Sequence, residues 1–257
     1  MLTEPQIRAV RWYIGDVEGD DPFWGDPKAY VTVNALFFPG LETERARAAE
    51  GKRLNPAILE DAHRLCRTLK MLMSAFRPLP AAVRTFRVER YSDYISIKEN
   101  GSRTCSFTST STAGFLRAYQ DRTGIALIQF ELPAGTPCID MRTALDHYAK
   151  PDEAEILLPP GLSLALTAHP LTAEEKQILD ADGDPPAVSV TAVPDGRTPA
   201  PVPGKTVPDA YRLAGIRVLR AITAGEEPDA EDVRMYALWK HALTQPLSDP
   251  WKFLGEA

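Results

Sequence analysis

The apolar residues of this chain recur at helical spacing as far as about residue 80, and from Ala82 onward they alternate. A period of 3.6 that gives way to a period of 2, with few helices interleaved afterwards, argues against a helical bundle and against an alternating α/β fold. It predicts an α+β protein. In the first part, Thr3 and Gln6 stand three apart as a capping-box pattern, followed by Ile7, Val10 and Tyr13 or Ile14 at helical spacing. Residues 16–26 have loop composition. Asn55-Pro56 then opens a helix whose Ile58, Ala62, Leu65, Leu69 and Leu72 share one face, and which ends near Arg77-Pro78.

Short alternating runs bounded by Gly, Pro or Asn-Gly predict strands over residues 85–91, 94–98, 103–109, 125–132, 136–139, 153–158, 162–168 and 187–192. Residues 112–122 read as a helix among them, and residues 140–148 as a second. Most of the 23 prolines punctuate these elements, but five lie between Pro194 and Pro208 with Gly196 and Gly204, which predicts a semi-rigid connector over 194–208. Two amphipathic helices follow in 209–257. Tyr211, Val218 and Ile222 line the first, which stops at Gly225; Val233, Tyr236 and Leu243 line the second, which stops before Pro246. A helical hairpin of that size holds no core alone, so it is expected to pack back on the rest of the chain or on a partner.

Charge excludes more than it suggests. With 29 Lys and Arg against 35 Asp and Glu, the net charge of −6 gives no overall positive field toward nucleic acid or an anionic membrane. No run approaches the roughly 18 apolar residues of a membrane span, and residues 1–6 show neither a basic nor an apolar signal region. A protein cytoplasmic as synthesised is expected, leaving the cell, if it does, by a signal-peptide-independent route. Cys66, Cys105 and Cys138 form no Cys-x-x-Cys pair, and His63, His147, His169 and His241 are scattered, so no zinc site and no histidine-activated nucleophile is expected.

Three segments carry residues suited to chemistry. In Glu153-Ala154-Glu155-Ile156-Leu157-Leu158-Pro159-Pro160-Gly161, an extended chain sets Glu153 and Glu155 on one face about 6.5–7 Å apart. Such a pair of carboxylates also suits a solvated edge strand. In Phe107-Thr108-Ser109-Thr110-Ser111, the serines share a face and offer hydroxyls to orient a carboxylate, or simply cap the helix that follows. In Phe86-Arg87-Val88-Glu89, Arg87 and Glu89 share the face opposite Phe86 and Val88; the guanidinium fork suits a pair of phosphates, or an ion pair with Glu89.

Taken in order, these three segments resemble the Arg-Ser-Glu signature of mono-ADP-ribosyltransferases of the Glu-x-Glu class, the clostridial binary toxin catalytic subunits and the arginine-specific vertebrate ectoenzymes. The matching text is Phe86-Arg87, Phe107-x-Ser109-Thr110-Ser111 and Glu153-x-Glu155-Ile156-Leu157-Leu158-Pro159-Pro160-Gly161. Gly124-Ile125-Ala126-Leu127-Ile128 and Pro133-Ala134-Gly135 also look like the family. The resemblance covers about residues 8–193. It implies an ADP-ribosyltransferase domain over 1–193, helical over about 1–80 and strand-rich over 81–193, with N-terminal helices packed on a two-sheet core. The 194–208 linker and the helical tail over 209–257 lie outside it.

By motif position the resemblance implies that Arg87 binds the NAD diphosphate and that Ser109 holds Glu155, helped by Thr110 and Ser111. Glu155 becomes the catalytic carboxylate and Glu153 the residue that selects an arginine acceptor. Val88 stands where the family commonly has glycine and uses the backbone to hold the nicotinamide amide. Tyr148, in the loop 146–152 where the family reads its protein target, becomes a substrate contact. NAD is then a substrate, no metal is needed, and the partner is a target protein with an accessible arginine. An immunity or chaperone partner at the C-terminal helices fits a toxin, effector or phage-type modifier. An NAD glycohydrolase and a catalytically inactive interaction module are the alternatives.

Overall fold

In a computed structural model, the described residues are 1–17, 19–38, 41–49, 51, 54–99, 102–104, 106–112, 125–148, 153–170, 172–173, 175, 188–195 and 208–244. Helix α1 (Glu4–Ile14) begins on the expected box: the Thr3 backbone N–H donates to Gln6 Oε1 at 2.9 Å. The Gln6 side-chain amide then donates to the Ser74 carbonyl at 2.7 Å, tying the start of α1 to residues 68 positions along the chain. Gly15 ends the helix at φ 77°, and a Cβ there would meet the Pro27 carbonyl oxygen at 2.2 Å, so both conformation and space demand glycine. The loop that follows is not merely solvated. Its Phe23 is buried, stacks on Trp12 at 5.0 Å, and offers a carbonyl to the Trp12 indole N–H at 2.6 Å.

After α2 (Ala29–Ala35) and α3 (Glu42–Ala49), the helix expected from Asn55 onward is divided into α4 (Ala57–Glu60) and α5 (Ala62–Met73). The cause is Asp61, whose backbone leaves helical geometry and whose carboxylate accepts the Arg64 N–H at 2.9 Å as an N-cap. Leu65, Leu69 and Leu72 of α5 are completely buried, on the predicted face.

The next elements are β1 (Arg77–Pro78), β2 (Val83–Arg90), α6 (Tyr91–Glu99), β3 (Thr108–Ser111), β4 (Ile125–Leu132), β5 (Pro137–Asp140), α7 (Met141–Ala144), β6 (Glu155–Leu158), β7 (Leu164–His169) and β8 (Val188–Pro194). The strands form one sheet in the order β1-β5-β6-β3-β2-β4-β8-β7. Where two sheets are expected, two four-stranded halves are joined, and the β2–β3 join rests on the single register pair Phe86↔Ser111. Alternate residues enter one apolar core: Ala126, Ile128, Phe130 and Leu132 of β4, Ile156 and Leu158 of β6, and Val190 and Ala192 of β8.

Residues 94–98, predicted as a strand, belong to helix α6 instead. Tyr94 and Ile97 enter that core, three residues apart on one helical face, while their β-favouring composition and near-alternation mimic a strand. The strand expected over 103–109 keeps only an isolated bridge, Arg103↔Ser163, before β3. The helix expected over 140–148 is one turn, α7. The helix expected over 112–122 falls almost wholly outside the described residues, as do Cys105 and most of the 194–208 connector. The Cys138 thiol, in β5, is pushed up to about 12 by burial and then by the Asp140 carboxylate, so it is inert near neutral pH.

Helices α8 (Asp209–Ala224) and α9 (Ala230–Thr244) close the described chain, α8 ending at Gly225 as expected. By their contacts they group with residues 1–75, apart from residues 76–199. Arg212 on α8 donates to the Leu59 and Glu60 carbonyls of α4 at 3.1 and 2.9 Å. On α9, Lys240 forms a buried ion pair with Glu44 of α3 at 2.7 Å, side chains 3% and 0% exposed. Gly215 of α8 lies against the Tyr236 ring of α9, where a Cβ would come within 2.5 Å. Apolar helices without a core of their own thus share one with the N-terminal helices.

Candidate active site

The three signature segments lie within residues 76–199, on or directly beside the adjacent strands β2, β3 and β6. On β2, Phe86 and Val88 are buried, and Val88 pairs with Leu127 of β4. Arg87 alternates away from them with 30% of its side chain exposed. Its Nε donates to Glu89, and its Nη1 donates to the Ser109 carbonyl at 2.7 Å. The two contacts fix the plane of the guanidinium from two sides. Glu89 also offsets part of its charge, so the ion pair that is one reading of this strand is present together with the bond to β3.

On β3 the register sets Ser111 opposite Glu155, Thr110 opposite Ile156 and Ser109 opposite Leu157. Opposed residues of an antiparallel pair share a face with Cβ atoms about 5 Å apart, so Ser111 is the direct neighbour of Glu155 and Ser109 the diagonal one. Ser111 Oγ donates to the Glu153 carbonyl at 2.5 Å, and Thr110 Oγ1 to the Ile156 carbonyl at 2.8 Å. The hydroxyls of Thr110 and Ser111 therefore grip the backbone of the Glu153–Ile156 segment. Ser109 contributes its carbonyl, to Arg87.

The Glu-x-Glu segment is not extended throughout. β6 begins at Glu155, and Ala154 before it has φ 43°, a left-handed backbone that costs an alanine roughly 1–2 kcal/mol. Three contacts hold the bend: Ser111 Oγ to the Glu153 carbonyl, and the Thr112 N–H and hydroxyl to the Ala154 carbonyl at 3.3 and 3.5 Å. Glu153 is therefore not placed on the face of Glu155 by strand alternation, as an extended chain would place it; the backbone turns between them. Glu155 itself is 8% exposed, and its Oε2 accepts a hydrogen bond from the Tyr148 hydroxyl at 2.8 Å. Among the described residues no group of three or more His, Cys, Asp or Glu side chains gathers as a metal site would. No described helix is long and apolar enough to cross a membrane.

No protein-family model and no curated protein matches the sequence. Among solved structures, an ADP-ribosyltransferase of Clostridium botulinum in a triclinic crystal form matches at 12% identity and a TM-score of 0.42, over 75% of this chain and 87% of that one. The ADP-ribosylating toxin of a binary enterotoxin of C. perfringens, solved with NADH, matches at 13% identity and a TM-score of 0.42, over 75% and 43%. The enzymatic component of the C. botulinum C2 toxin matches at 12% identity and a TM-score of 0.41, over 75% and 44%. The chain thus spans under half the length of these last two. At such identities and TM-scores the likeness assigns no activity, and the residues of the site carry the functional conclusion.

Of the residues singled out in the sequence, Arg87, Ser109, Thr110, Ser111, Glu153 and Glu155 come together through the β2–β3–β6 neighbourhood. Tyr148, which the resemblance makes a substrate contact, joins them half-buried and bonded to Glu155. No spacing in the sequence announces that bond. The backbone just before each partner is left-handed, at His147, φ 59°, and at Ala154, neither of which is a glycine that would mark the turn.

Proposed function

We propose that this chain transfers the ADP-ribose of NAD to an arginine side chain of a target protein and releases nicotinamide. One observation supports this most: three segments spread over residues 87–155 adjoin on neighbouring strands, with Arg87 bonded to the middle one and Ser111 paired with Glu155. In this reading Arg87 grips the diphosphate, and the Val88 backbone lies where the nicotinamide amide is held. Cleavage of the bond from ribose C1′ to the nicotinamide nitrogen sends the bonding electrons to nicotinamide and leaves an oxocarbenium-like ribose. The Glu155 carboxylate, hydrogen-bonded to the ribose 2′-hydroxyl, stabilises charge that develops only near the transition state. A guanidinium nitrogen of the acceptor then bonds to C1′, and Glu153 takes the proton it sheds.

Adenylate-labelled NAD incubated with the protein and a cell lysate is expected to leave label on protein, at arginine by mass spectrometry. Release of nicotinamide with no protein label would favour the glycohydrolase reading. Glu153→Gln is expected to lose arginine labelling while retaining NAD hydrolysis; equal loss of both would refute the separate role of Glu153.

A further inference from the structure

We propose that Tyr148 is the positioning residue of the Glu155 carboxylate. The proposal rests on the ADP-ribosyl transfer reading and deepens it, since the resemblance gives this task to the Ser109 hydroxyl. The geometry points elsewhere. The Tyr148 hydroxyl donates to Glu155 Oε2 at 2.8 Å, while Ser109 sits diagonal to Glu155 across β3–β6, where Ser111 is the direct neighbour. Glu155 is 8% exposed, so its carboxylate has few waters to orient it, and a phenol donor fixes which oxygen points into the protein. With Oε2 held by Tyr148, Oε1 is the oxygen presented to the ribose 2′-hydroxyl. Two non-glycine residues beside this pair hold a left-handed backbone, His147 before Tyr148 and Ala154 before Glu155. Strain of that kind collects where geometry is held for chemistry.

A residue that aims a catalytic group without touching substrate changes turnover more than substrate binding. Tyr148→Phe, which removes one oxygen and keeps the ring, is expected to lower kcat for nicotinamide release about 10- to 100-fold, with KM for NAD within about twofold and an unchanged thermal midpoint. In a Glu155→Asp background, where the carboxylate is withdrawn by a methylene beyond the phenol, the same change is expected to cost less than about twofold. Wild-type kcat in Tyr148→Phe would overturn the proposal and leave the transferase reading standing. So would a rise in kcat, the mark of a phenol that merely occupies the carboxylate, or an equal loss in the Asp background, the mark of a structural role. Absence of NAD cleavage by the wild type would overturn both.

Discussion

Arg87 is held by two acceptors of the protein itself, the Glu89 carboxylate and the Ser109 carbonyl. A guanidinium fixed in this way meets a diphosphate with its rotamer entropy already spent, and a lysine cannot reproduce the planar fork. Arg87→Ala and Arg87→Lys are therefore both expected to raise KM for NAD by about tenfold or more, measured by nicotinamide release. A lysine variant with native KM would show that the charge alone matters. The residue types of this site were legible in the sequence because Arg, Ser-Thr-Ser and Glu-x-Glu stand in order with their aromatic and proline neighbours. What escaped was the geometry of single residues. Nothing about Ala154 as an amino acid announces a φ of 43°, which comes from tertiary contacts by Ser111 and Thr112 that only the folded β3–β6 pair provides.

At the scale of elements, burial decides what composition leaves open. β4 was legible to the residue, because an apolar run that passes into alternation at Ile128, Phe130 and Leu132 suits a strand buried between two others. Residues 94–98 misled because Tyr94, Ile95 and Ile97 are strand-favouring types, yet the core needs Tyr94 and Ile97 at helical spacing. The join of α9 to α3 hides from any local pattern, since Lys240 and Glu44 are 196 residues apart. Both side chains are buried, and Lys240 also lies 4.7 Å from the centre of the Tyr236 ring. Removing one partner leaves the other charge buried, so Lys240→Met is expected to destabilise the protein by about 3–5 kcal/mol. Adding Glu44→Leu to that variant should restore much of the loss. Urea unfolding measures both, and a double variant no more stable than the single one would contradict the account of the pair.

The molecule as a whole divides by contact rather than by chain order. Composition marks the prolines after Pro194 as a boundary, and a sequence has no means of saying that the helices beyond them share a core with residues 1–75. A chain ending at Pro199 is accordingly expected to lose more than a tail: the surfaces of α3 and α4 that meet α8 and α9 become exposed. A lowered thermal midpoint and increased binding of a hydrophobic dye would follow, and a native melting curve would contradict the shared core. The site itself lies in the other unit, around β2, β3 and β6, and there the central claim is tested most directly. Nicotinamide release from NAD should be measured for the wild type and Glu155→Ala at matched folding. The account predicts turnover by the wild type and its near-complete loss in a variant with an unchanged circular dichroism spectrum. Equal turnover by the two proteins would contradict it.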